Sequence, residues 1–444
     1  MLKTFRIGGI HPADDKLTAG KAIEVFPVPG TVVIPLSQHI GAPAVSAVAK
    51  GDKVVVGQLL GRAGGFVSAN VHSSVSGTVT AVDAVADAGG MRRPSVTIAV
   101  EGDEWRVDID RTDTLVKTTD LTSKEIVDKV AEAGIVGMGG ATFPTQVKLS
   151  VPEGKKAEWL IINGVECEPY LTADHRLMLE RGEQVLVGVS LLAKALGVSR
   201  AYIGIENNKK DAIEHLRSLT PAYPGIEVVP LMVKYPQGGE KQLIAALTGR
   251  QVPSGALPID VGAVVQNVGT AYAVYEAVMK NKPLIERIVT VTGRSLEHPA
   301  NLQVRIGTPV SALVAHCGGI PAGDAKVIGG GPMMGRPMAN PDAPVTKGSS
   351  GVLIMSGAAA CRLPEKECIR CAKCVEVCPM GLEPYLLSKL SRNGLFEETE
   401  KHAVTDCIEC GSCSWTCPAS LPLLDFIRIG KAETMKLIRA RKAK

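Results

Sequence analysis

Two short stretches decide the fold of the C-terminal region: CIRCAKCVEVCP at residues 368–379 and CIECGSCSWTCP at residues 407–418. Each has the cysteine spacing CxxCxxCxxxCP, and the second follows the first by 39 residues. The quartets are Cys368, Cys371, Cys374 and Cys378, then Cys407, Cys410, Cys413 and Cys417. Three cysteines at every third position can enclose three corners of a cuboidal iron–sulfur cluster. The fourth, before a proline, can reach the neighbouring cluster.

Zinc ligation is the alternative for such cysteines. Zinc sites use paired CxxC arms or combine cysteine with histidine to close a tetrahedron. Two complete quartets instead predict two 4Fe-4S clusters in a helical, ferredoxin-like module at residues 358–430. We expect cross-ligation, with Cys417 completing the first cluster and Cys378 completing the second.

Length and composition set the class of protein. A chain of 444 residues is too long for one ordinary core, and 45 % apolar residues can fill about two to four domains. The net charge of +4 is too small to predict a nucleic-acid partner. The first residues, MLKTFRIGGI, lack the apolar stretch of a signal peptide, and no apolar run approaches the ~18 residues that span a bilayer. We therefore expect a soluble or peripheral protein on the cytoplasmic side, where thiols stay reduced.

Residues 431–444 form a basic C-terminal tail. With one preceding arginine, the cations of this region include Arg428, Lys436, Arg439, Arg441, Lys442 and Lys444. Such a cluster is either the solvated end of a helix or a contact with an acidic partner or anionic lipid.

Two regions of regular structure precede the cysteines. Residues 1–110 contain short runs rich in Val, Gly and Thr, which predict β structure. The stretch VAKGDKVVVGQLLG, followed by VHSSVSGTVTAV, resembles the barrel-sandwich of lipoyl and biotinyl carrier domains. Carriers hold their prosthetic group on a lysine at a hairpin tip, but no lysine lies between Ala63 and Gly77. Residues 115–285 alternate predicted strands and helices, which indicates a doubly wound parallel sheet with ligands at the C-terminal ends of its strands.

A predicted helix and a glycine-rich loop open this second region. LTSKEIVDKVAEAG at 121–134 is amphipathic, with Thr122 or Ser123 as the N-cap and Gly134 as the stop. The loop GIVGMGGATFPTQVKL at 134–149 follows. Its glycines either let backbone N–H groups approach a phosphate or a flat ring, or simply form a turn.

Three further stretches each follow a predicted strand, so they are expected at the same sheet edge. They are INGVECEPY at 162–170, YPQGGEKQL at 235–243 and VVQNVGT at 264–270. Together with the glycine-rich loop, they resemble the flavin-binding subunit of respiratory NADH dehydrogenases and related hydrogenases. The corresponding stretches of that family are GRGGAGFPTGxKW, NADESEPG, CGEE and VNNVET. Over essentially the whole chain, the domain order is still more similar to the RnfC family of the Rnf electron-transport complex.

The resemblance implies a multidomain α/β fold. Its parts would be a barrel-sandwich without a carrier lysine at 1–110, an FMN- and NADH-binding Rossmann-like domain at 115–285, a small soluble-ligand-binding β-grasp unit at 286–345, and the paired-cluster module. The stretch GGGPMMG at 329–335 lacks the GK[ST] ending of a phosphate-binding loop, so we interpret it as structural.

The resemblance also implies a set of cofactor-binding residues and no catalytic acid or base. FMN would be held by Gly137, Gly139, Gly140, Lys148, Asn163 and Asn267. NADH would lie near Phe143, Glu168 and Glu240. A capping or structural role is the alternative for each of these residues taken alone. Met138, Val165 and Gly239 depart from the dehydrogenase pattern, which has an arginine, an acid and a glutamate at those positions.

The implied function is that of an electron-transfer subunit in a membrane-bound, ion-translocating ferredoxin:NAD oxidoreductase complex. The expected cofactors are two 4Fe-4S clusters and FMN, with NAD(H) as the substrate. The expected partners are integral-membrane and ferredoxin-like subunits, with peripheral membrane contact and no nucleic acid. One alternative is a non-enzymatic iron–sulfur wire whose flavin domain only docks partners. Another is the diaphorase subunit of a soluble hydrogenase or formate dehydrogenase, which usually has one cluster and no barrel-sandwich.

Overall fold

The computed structural model describes residues 2–442, and its N-terminal part is rich in β structure. The first strands are β1 (Ile23–Val25), β2 (Thr31–Pro35), β3 (Val45–Ser46), β4 (Lys53–Val54), β5 (Leu59–Arg62), β6 (Val71–His72), β7 (Gly77–Ala86) and β8 (Arg92–Val100). Seven of them form two facing sheets, with strand orders β2-β8-β7-β4 and β3-β5-β6. Their alternating apolar residues close a core of Val, Leu and Ile side chains, as expected for a barrel-sandwich.

The hairpin tip between β5 and β6 is held against the rest of the chain. Gln146 Nε2 donates a hydrogen bond to the carbonyl of Ser68 at 2.7 Å. The buried Lys347 Nζ donates to the carbonyls of Asn70 at 2.6 Å and Gly134 at 2.7 Å. A carrier domain needs this tip to be free, whereas here it serves as a fixed wall.

The second region is a doubly wound domain, as predicted. Its elements are α1 (Ser123–Glu132), α2 (Thr145–Leu149), β9 (Trp159–Asn163), α3 (Ala173–Glu180), α4 (Gly182–Leu196), β10 (Ala201–Glu206), α5 (Lys210–Leu219), β11 (Ile226–Leu231), α6 (Glu240–Thr248), β12 (Ala263–Asn267) and α7 (Val268–Met279), with 3₁₀ turns at Thr220–Ala222 and Pro258–Val261. The four strands are all parallel, in the order β11-β10-β9-β12. The strand order reverses between β9 and β12, which is where ligands bind in such sheets.

The start of α1 shows how the sequence sets these boundaries. Thr122 is the N-cap, and it forms a reciprocal capping box with Glu125. Gly134, with φ of 64°, turns the chain after the helix into the glycine-rich loop. Of the two N-cap candidates, the structure selects Thr122.

A six-stranded mixed sheet with one helix follows. Its elements are β13 (Glu286–Thr292), β14 (Ala300–Arg305), α8 (Val310–His316), β15 (Ala325–Gly329), β16 (Arg336–Pro337) and β17 (Gly351–Ser356). The strand order is β1-β14-β13-β17-β15-β16. Two strands of this sheet come from outside the predicted range 286–345. β1 leaves the barrel-sandwich to pair in parallel with β14, and β17 lies beyond residue 345 yet occupies the middle of the sheet.

The cysteine region is helical and repeats internally. A 3₁₀ turn at Gly357–Ala360 precedes α9 (Lys373–Glu376), α10 (Pro384–Arg392), α11 (Phe396–Lys401), a 3₁₀ turn at Val404–Asp406, α12 (Ser412–Trp415) and α13 (Leu423–Lys442). Left-handed residues recur 39 positions apart, as Arg370 with Glu409 and Ala372 with Gly411. The repeat seen in the cysteine spacing is therefore also a repeat of backbone conformation.

Candidate functional site

One large cavity opens at the C-terminal edge of the parallel sheet. Its volume is about 1700 Å³, above the roughly 300–1000 Å³ typical of a site for one small ligand. All four parts of the chain contribute walls, including Phe66 from the hairpin tip and Ile408 and Glu409 from the second cysteine loop. The nine predicted non-cysteine site residues all line it: Gly137, Gly139, Gly140, Phe143, Lys148, Asn163, Glu168, Glu240 and Asn267.

The two asparagines brace the cavity floor where β9 and β12 end. Asn267 Oδ1 caps α7 by accepting from the Gly269 N–H at 2.8 Å, and its Nδ2 donates to Asp174 Oδ2 at 2.7 Å. Asn163 Nδ2 donates to the carbonyl of Gly238 at 2.8 Å. A side chain at Gly139 would come within 2.9 Å of the Asn267 amide. The glycine-rich loop is held at this edge by the Met138 N–H, which donates to Thr270 Oγ1 at 2.9 Å.

Lys148 and Glu240 are partners of each other. Lys148 Nζ lies 2.7 Å from Glu240 Oε1 and donates to the carbonyl of Val265 at 3.1 Å. The resemblance implied separate roles for them, an FMN contact for the lysine and an NADH contact for the acid. The pair instead presents one cation and one carboxylate side by side on the cavity wall.

Glu168 joins the cavity to a loop that the sequence analysis treated as structural. Its carboxylate accepts from the backbone N–H groups of Met333 at 3.1 Å and Met334 at 2.6 Å. Burial raises the pKa of Glu168 to about 7, although these two hydrogen bonds oppose the shift. Gly330 and Gly331 of the same GGGPMMG loop line the cavity. The loop is therefore part of the candidate site, which its missing GK[ST] ending had concealed.

Several other residues of the cavity wall were not among the predicted site residues. Asp174 lies at the start of α3, and burial raises its pKa to about 7, with the charge of Glu166 adding to the shift. Arg287 comes from β13 and Tyr235 from the loop after β11. Each is isolated in sequence from the recognised stretches or lies at their margin, so only the tertiary fold brings them together.

The cavity residues fit a flavin nucleotide. Gln266, at the end of β12, is buried with neither its amide nitrogen nor its oxygen hydrogen-bonded to any described residue. Such a group needs a polar partner, and Gln266 lines the cavity. A Cβ at Gly140 would meet nothing within 4 Å, so the loop leaves its open side to a ligand.

The eight quartet cysteines fit two polynuclear clusters. Cys368 and Cys371 are exposed, whereas Cys378, Cys410 and Cys413 are buried. Within residues 2–442, no three Cys, His, Asp or Glu side chains are close enough together to hold a single metal ion. A cuboidal cluster has ligands that stand further apart, and the two sets of thiols have the chemistry it requires.

Thiols of the two quartets lie near each other in the same packed region. Burial raises the pKa of the Cys413 thiol, and the charge of nearby Cys378 adds to the shift. Burial likewise raises the pKa of Cys374, and here the charge of Cys417 contributes. The last cysteine of each quartet thus lies near the other quartet.

Tyr235 connects the cavity to the second quartet. Its ring is 2 % exposed, and its hydroxyl donates to the carbonyl of Cys410 at 2.8 Å. Ile10, Tyr235 and Cys410 form one buried apolar cluster, with Cys167 packed against it. The Cys167 sulfur in turn accepts from the Gly238 N–H at 3.4 Å on the cavity wall.

Much of the basic C-terminal region is paired within the chain. Arg428 Nε lies 3.0 Å from Glu409 Oε2, Lys436 Nζ lies 2.7 Å from Glu433 Oε1, and Arg441 pairs with Glu400. Arg439 and Lys442 are exposed, and Lys444 is outside the described residues. Among residues 2–442, no helix is long and apolar enough to cross a bilayer.

Four family models match successive parts of the chain. They are the RnfC barrel sandwich hybrid domain at residues 3–104, the Nuo51 FMN-binding domain at 130–276, the SLBB domain at 288–337 and the 4Fe-4S dicluster domain at 361–425. The predicted multidomain fold and the predicted FMN-binding and dicluster domains are thereby confirmed. Fold and site together define a flavin- and iron–sulfur-dependent electron-transfer protein.

Two curated relatives identify the family. The chain is 47 % identical over 449 residues to the C subunit of the proton-translocating ferredoxin:NAD(+) oxidoreductase complex of Clostridium ljungdahlii, covering 100 % of this chain and 97 % of the relative. It is 46 % identical over 435 residues to the C subunit of the Na(+)-translocating complex of Acetobacterium woodii, covering 97 % of each. The chain belongs to the RnfC family of ion-translocating oxidoreductase complexes, as predicted.

A solved structure shares the fold at low identity. A chain of the air-oxidized NAD+-reducing [NiFe]-hydrogenase matches with a TM-score of 0.50 and 18 % identity. The match covers 70 % of this chain and 66 % of the hydrogenase chain. At this identity the likeness supports the fold alone.

Proposed function

We propose that this chain transfers electrons between NAD(H) and the other subunits of a membrane-bound, ion-translocating ferredoxin:NAD oxidoreductase complex. FMN and the nicotinamide nucleotide would share the large cavity, and the eight quartet cysteines would hold two 4Fe-4S clusters. The observation that carries the proposal is the direct contact between cavity and cluster module, made by the buried hydrogen bond from Tyr235 to the carbonyl of Cys410.

The chain's own residues bind and orient the nucleotides. An FMN held in the cavity would supply the chemistry that links the two-electron hydride transfer of a nicotinamide to one-electron transfer. Gly137, Gly139 and Gly140 offer a close backbone approach at the sheet edge. Lys148 provides a cation, and Glu240 beside it suits ribose hydroxyls. The walls supplied by the hairpin tip and the GGGPMMG loop limit the access of water.

The burial of the cysteines supports an order in which the second quartet lies nearer the cavity than the first. The second quartet adjoins the cavity through Cys410 and its neighbours Ile408 and Glu409. The first quartet lies further out, with Cys368 and Cys371 exposed. A cluster held by the second quartet would lie beside the cavity, and one held by the first quartet would lie nearer the surface, where a partner could reach it.

The partners would be integral-membrane and ferredoxin-like subunits, with this chain peripheral on the cytoplasmic face of the membrane. The relatives are named as C subunits of such complexes. The exposed Arg439 and Lys442 at the end of α13 provide charge for a peripheral contact.

The test uses the full chain, reconstituted anaerobically with its clusters and FMN. We expect NADH to reduce ferricyanide only when FMN is present, and acid treatment to release FMN with its characteristic fluorescence. As a matched control, Lys155→Met removes a lysine that pairs with Asp260 and does not line the cavity. We expect Lys148→Met to weaken FMN retention and Lys155→Met to leave it unchanged.

The outcomes separate the alternatives. Chemically reducible clusters without FMN binding or NADH-dependent activity would contradict the proposal and favour the iron–sulfur wire. Activity in a chain that co-purifies with soluble hydrogenase or formate dehydrogenase subunits would favour the diaphorase.

A further inference from the structure

Arg287 is a buried cation on the wall of the cavity. It lies on β13 and is 8 % exposed. Its Nε donates to the carbonyl of Ser349 at 3.1 Å, and its Nη1 contacts the sulfur of Met138. Neither partner carries a charge. Burying a guanidinium costs free energy that is normally offset by a paired anion.

No carboxylate among the described residues lies within the 4.0 Å ion-pair distance of this guanidinium. Asp174 is near enough for its charge to raise the pKa of Arg287 and oppose the lowering by burial. Its Oδ2, however, accepts from Asn267 at 2.7 Å. Glu166, the other nearby acid, accepts from the backbone N–H groups of Asp174 and His175. The local carboxylates therefore brace α3 and α7.

The other cations of the cavity wall are engaged elsewhere. Arg93, Lys148, Arg336 and Arg428 pair with carboxylates, and Lys241 donates to the carbonyl of Pro253. Arg287 thus differs from them in being buried with no carboxylate at ion-pair distance, although the charge of Asp174 acts on it.

Its position is suited to an anionic ligand. A Cβ at Gly269 would lie 3.5 Å from Arg287 Nη1, which places the guanidinium at the first turn of α7. The N-terminus of a helix carries partial positive charge and favours anions. The Met138 contact places the same guanidinium beside the glycine-rich loop.

We propose that Arg287 binds an oxygen of the flavin nucleotide, so that the β-grasp unit contributes directly to cofactor binding. This oxygen belongs either to the anionic phosphate or to the pyrimidine edge of the ring, which gains negative charge when the flavin is reduced. A planar guanidinium can offer two parallel donors to either group. The inference rests on the proposed function because it concerns the same cavity.

The test compares Arg287→Gln and Arg287→Lys with Arg305→Gln. Arg305 is the matched control because it is an arginine on the adjacent strand β14 whose side chain is only 13 % exposed, pairs with Glu286 at 3.1 Å, and does not line the cavity. Dissociation constants for FMN and for riboflavin, which lacks the phosphate, are measured by flavin fluorescence on the full chain. The reduction potential of the bound flavin is a second readout.

We expect Arg287→Gln to weaken FMN binding by about 10- to 100-fold, the loss typical of a charged hydrogen bond. Arg287→Lys should weaken it less, and Arg305→Gln should leave it within about twofold. If the phosphate is the contact, riboflavin affinity stays unchanged. If the ring oxygen is the contact, riboflavin weakens equally and the flavin potential becomes more negative.

Wild-type FMN affinity in Arg287→Gln, or an equal loss in Arg305→Gln, would overturn the inference. If Arg287→Gln does not fold, wild-type affinity in Arg287→Lys would overturn it instead, since lysine cannot reproduce the planar fork. A wild-type chain that binds no flavin would contradict the proposed function itself, which separates the two failures.

Discussion

Asn267 caps the start of α7 and donates a hydrogen bond to Asp174. Replacing Asn267 tests how much these two contacts stabilise the cavity floor. Asn267→Ala removes the cap of α7, which costs about 1 kcal/mol (range about 0.5–2). It also removes the donor to buried Asp174, and leaving such a group unpaired costs about 1–3 kcal/mol. We therefore expect a local destabilisation of about 2–4 kcal/mol.

Hydrogen–deuterium exchange on the flavin-free chain measures this effect locally, which suits a multidomain protein that need not unfold in one step. The amides of α7 and residues 137–140 should exchange about 30- to 1000-fold faster, the equivalent of about 2–4 kcal/mol. Peptides from α10, in the cluster module, serve as the internal reference.

A second variant separates the two contributions. Asn267→Ser keeps a side-chain oxygen that can cap α7 but loses the amide donor to Asp174. Its effect should be smaller than that of the alanine variant by about 1 kcal/mol, or roughly fivefold in exchange rate. Exchange within about threefold of wild type for Asn267→Ala would refute the reasoning. Equal effects of Ala and Ser would refute the part assigned to the cap.

Three further predictions concern other parts of the molecule. Because the last cysteine of each quartet lies near the other quartet, Cys378→Ala should disturb the cluster of Cys407, Cys410 and Cys413 in paramagnetic resonance; selective loss of the first cluster would contradict cross-ligation. The folded-state pKa of Glu168 is about 7, above its ordinary 4.5, so the stability contributed by its protonation is complete below pH 4.5 and is lost as the pH rises to about 7. Infrared spectra of the folded chain should show a protonated carboxyl band that titrates away around pH 7 and is absent from Glu168→Gln; an unchanged spectrum would place the titration elsewhere. High salt should strip the chain from membranes without detergent, because exposed charge contacts are screened, whereas salt-resistant binding would indicate an apolar contact.

Local sequence signals predicted the elements of the fold well. The amphipathic pattern and N-cap signal gave α1, and the buried apolar runs gave the parallel strands β9, β10 and β11. The shared edge of β9 and β12 followed from the rule that parallel strands present their C-terminal ends together. This is why all nine predicted non-cysteine residues line one cavity.

Long-range pairing was beyond such reasoning. β1 is only three residues long and pairs with β14, about 280 residues away, so no local pattern announces it. The same holds for β17, which is separated from β15 by the GGGPMMG loop and a second short strand. That loop forms part of the site because two of its backbone N–H groups donate hydrogen bonds to the Glu168 carboxylate.

The pairing of side chains across the cavity could not be predicted from the sequence either. The sequence places Lys148 and Glu240 in stretches that resemble cofactor-binding loops. It does not indicate that the two side chains pair with each other. Nor does it indicate that Arg287 is left without a carboxylate, because this depends on Asp174 being held by Asn267. Such contacts depend on the relative placement of whole domains.

The most direct test of electron transfer from the cavity through the second quartet is anaerobic addition of NADH to the FMN-reconstituted chain, followed by paramagnetic resonance. We predict that NADH reduces both clusters in the wild type. In Cys410→Ala, NADH should still reduce ferricyanide, but it should no longer reduce the cluster of Cys368, Cys371 and Cys374. Clusters that stay oxidised in the wild type, or a first cluster that NADH reduces normally in the variant, would contradict the account.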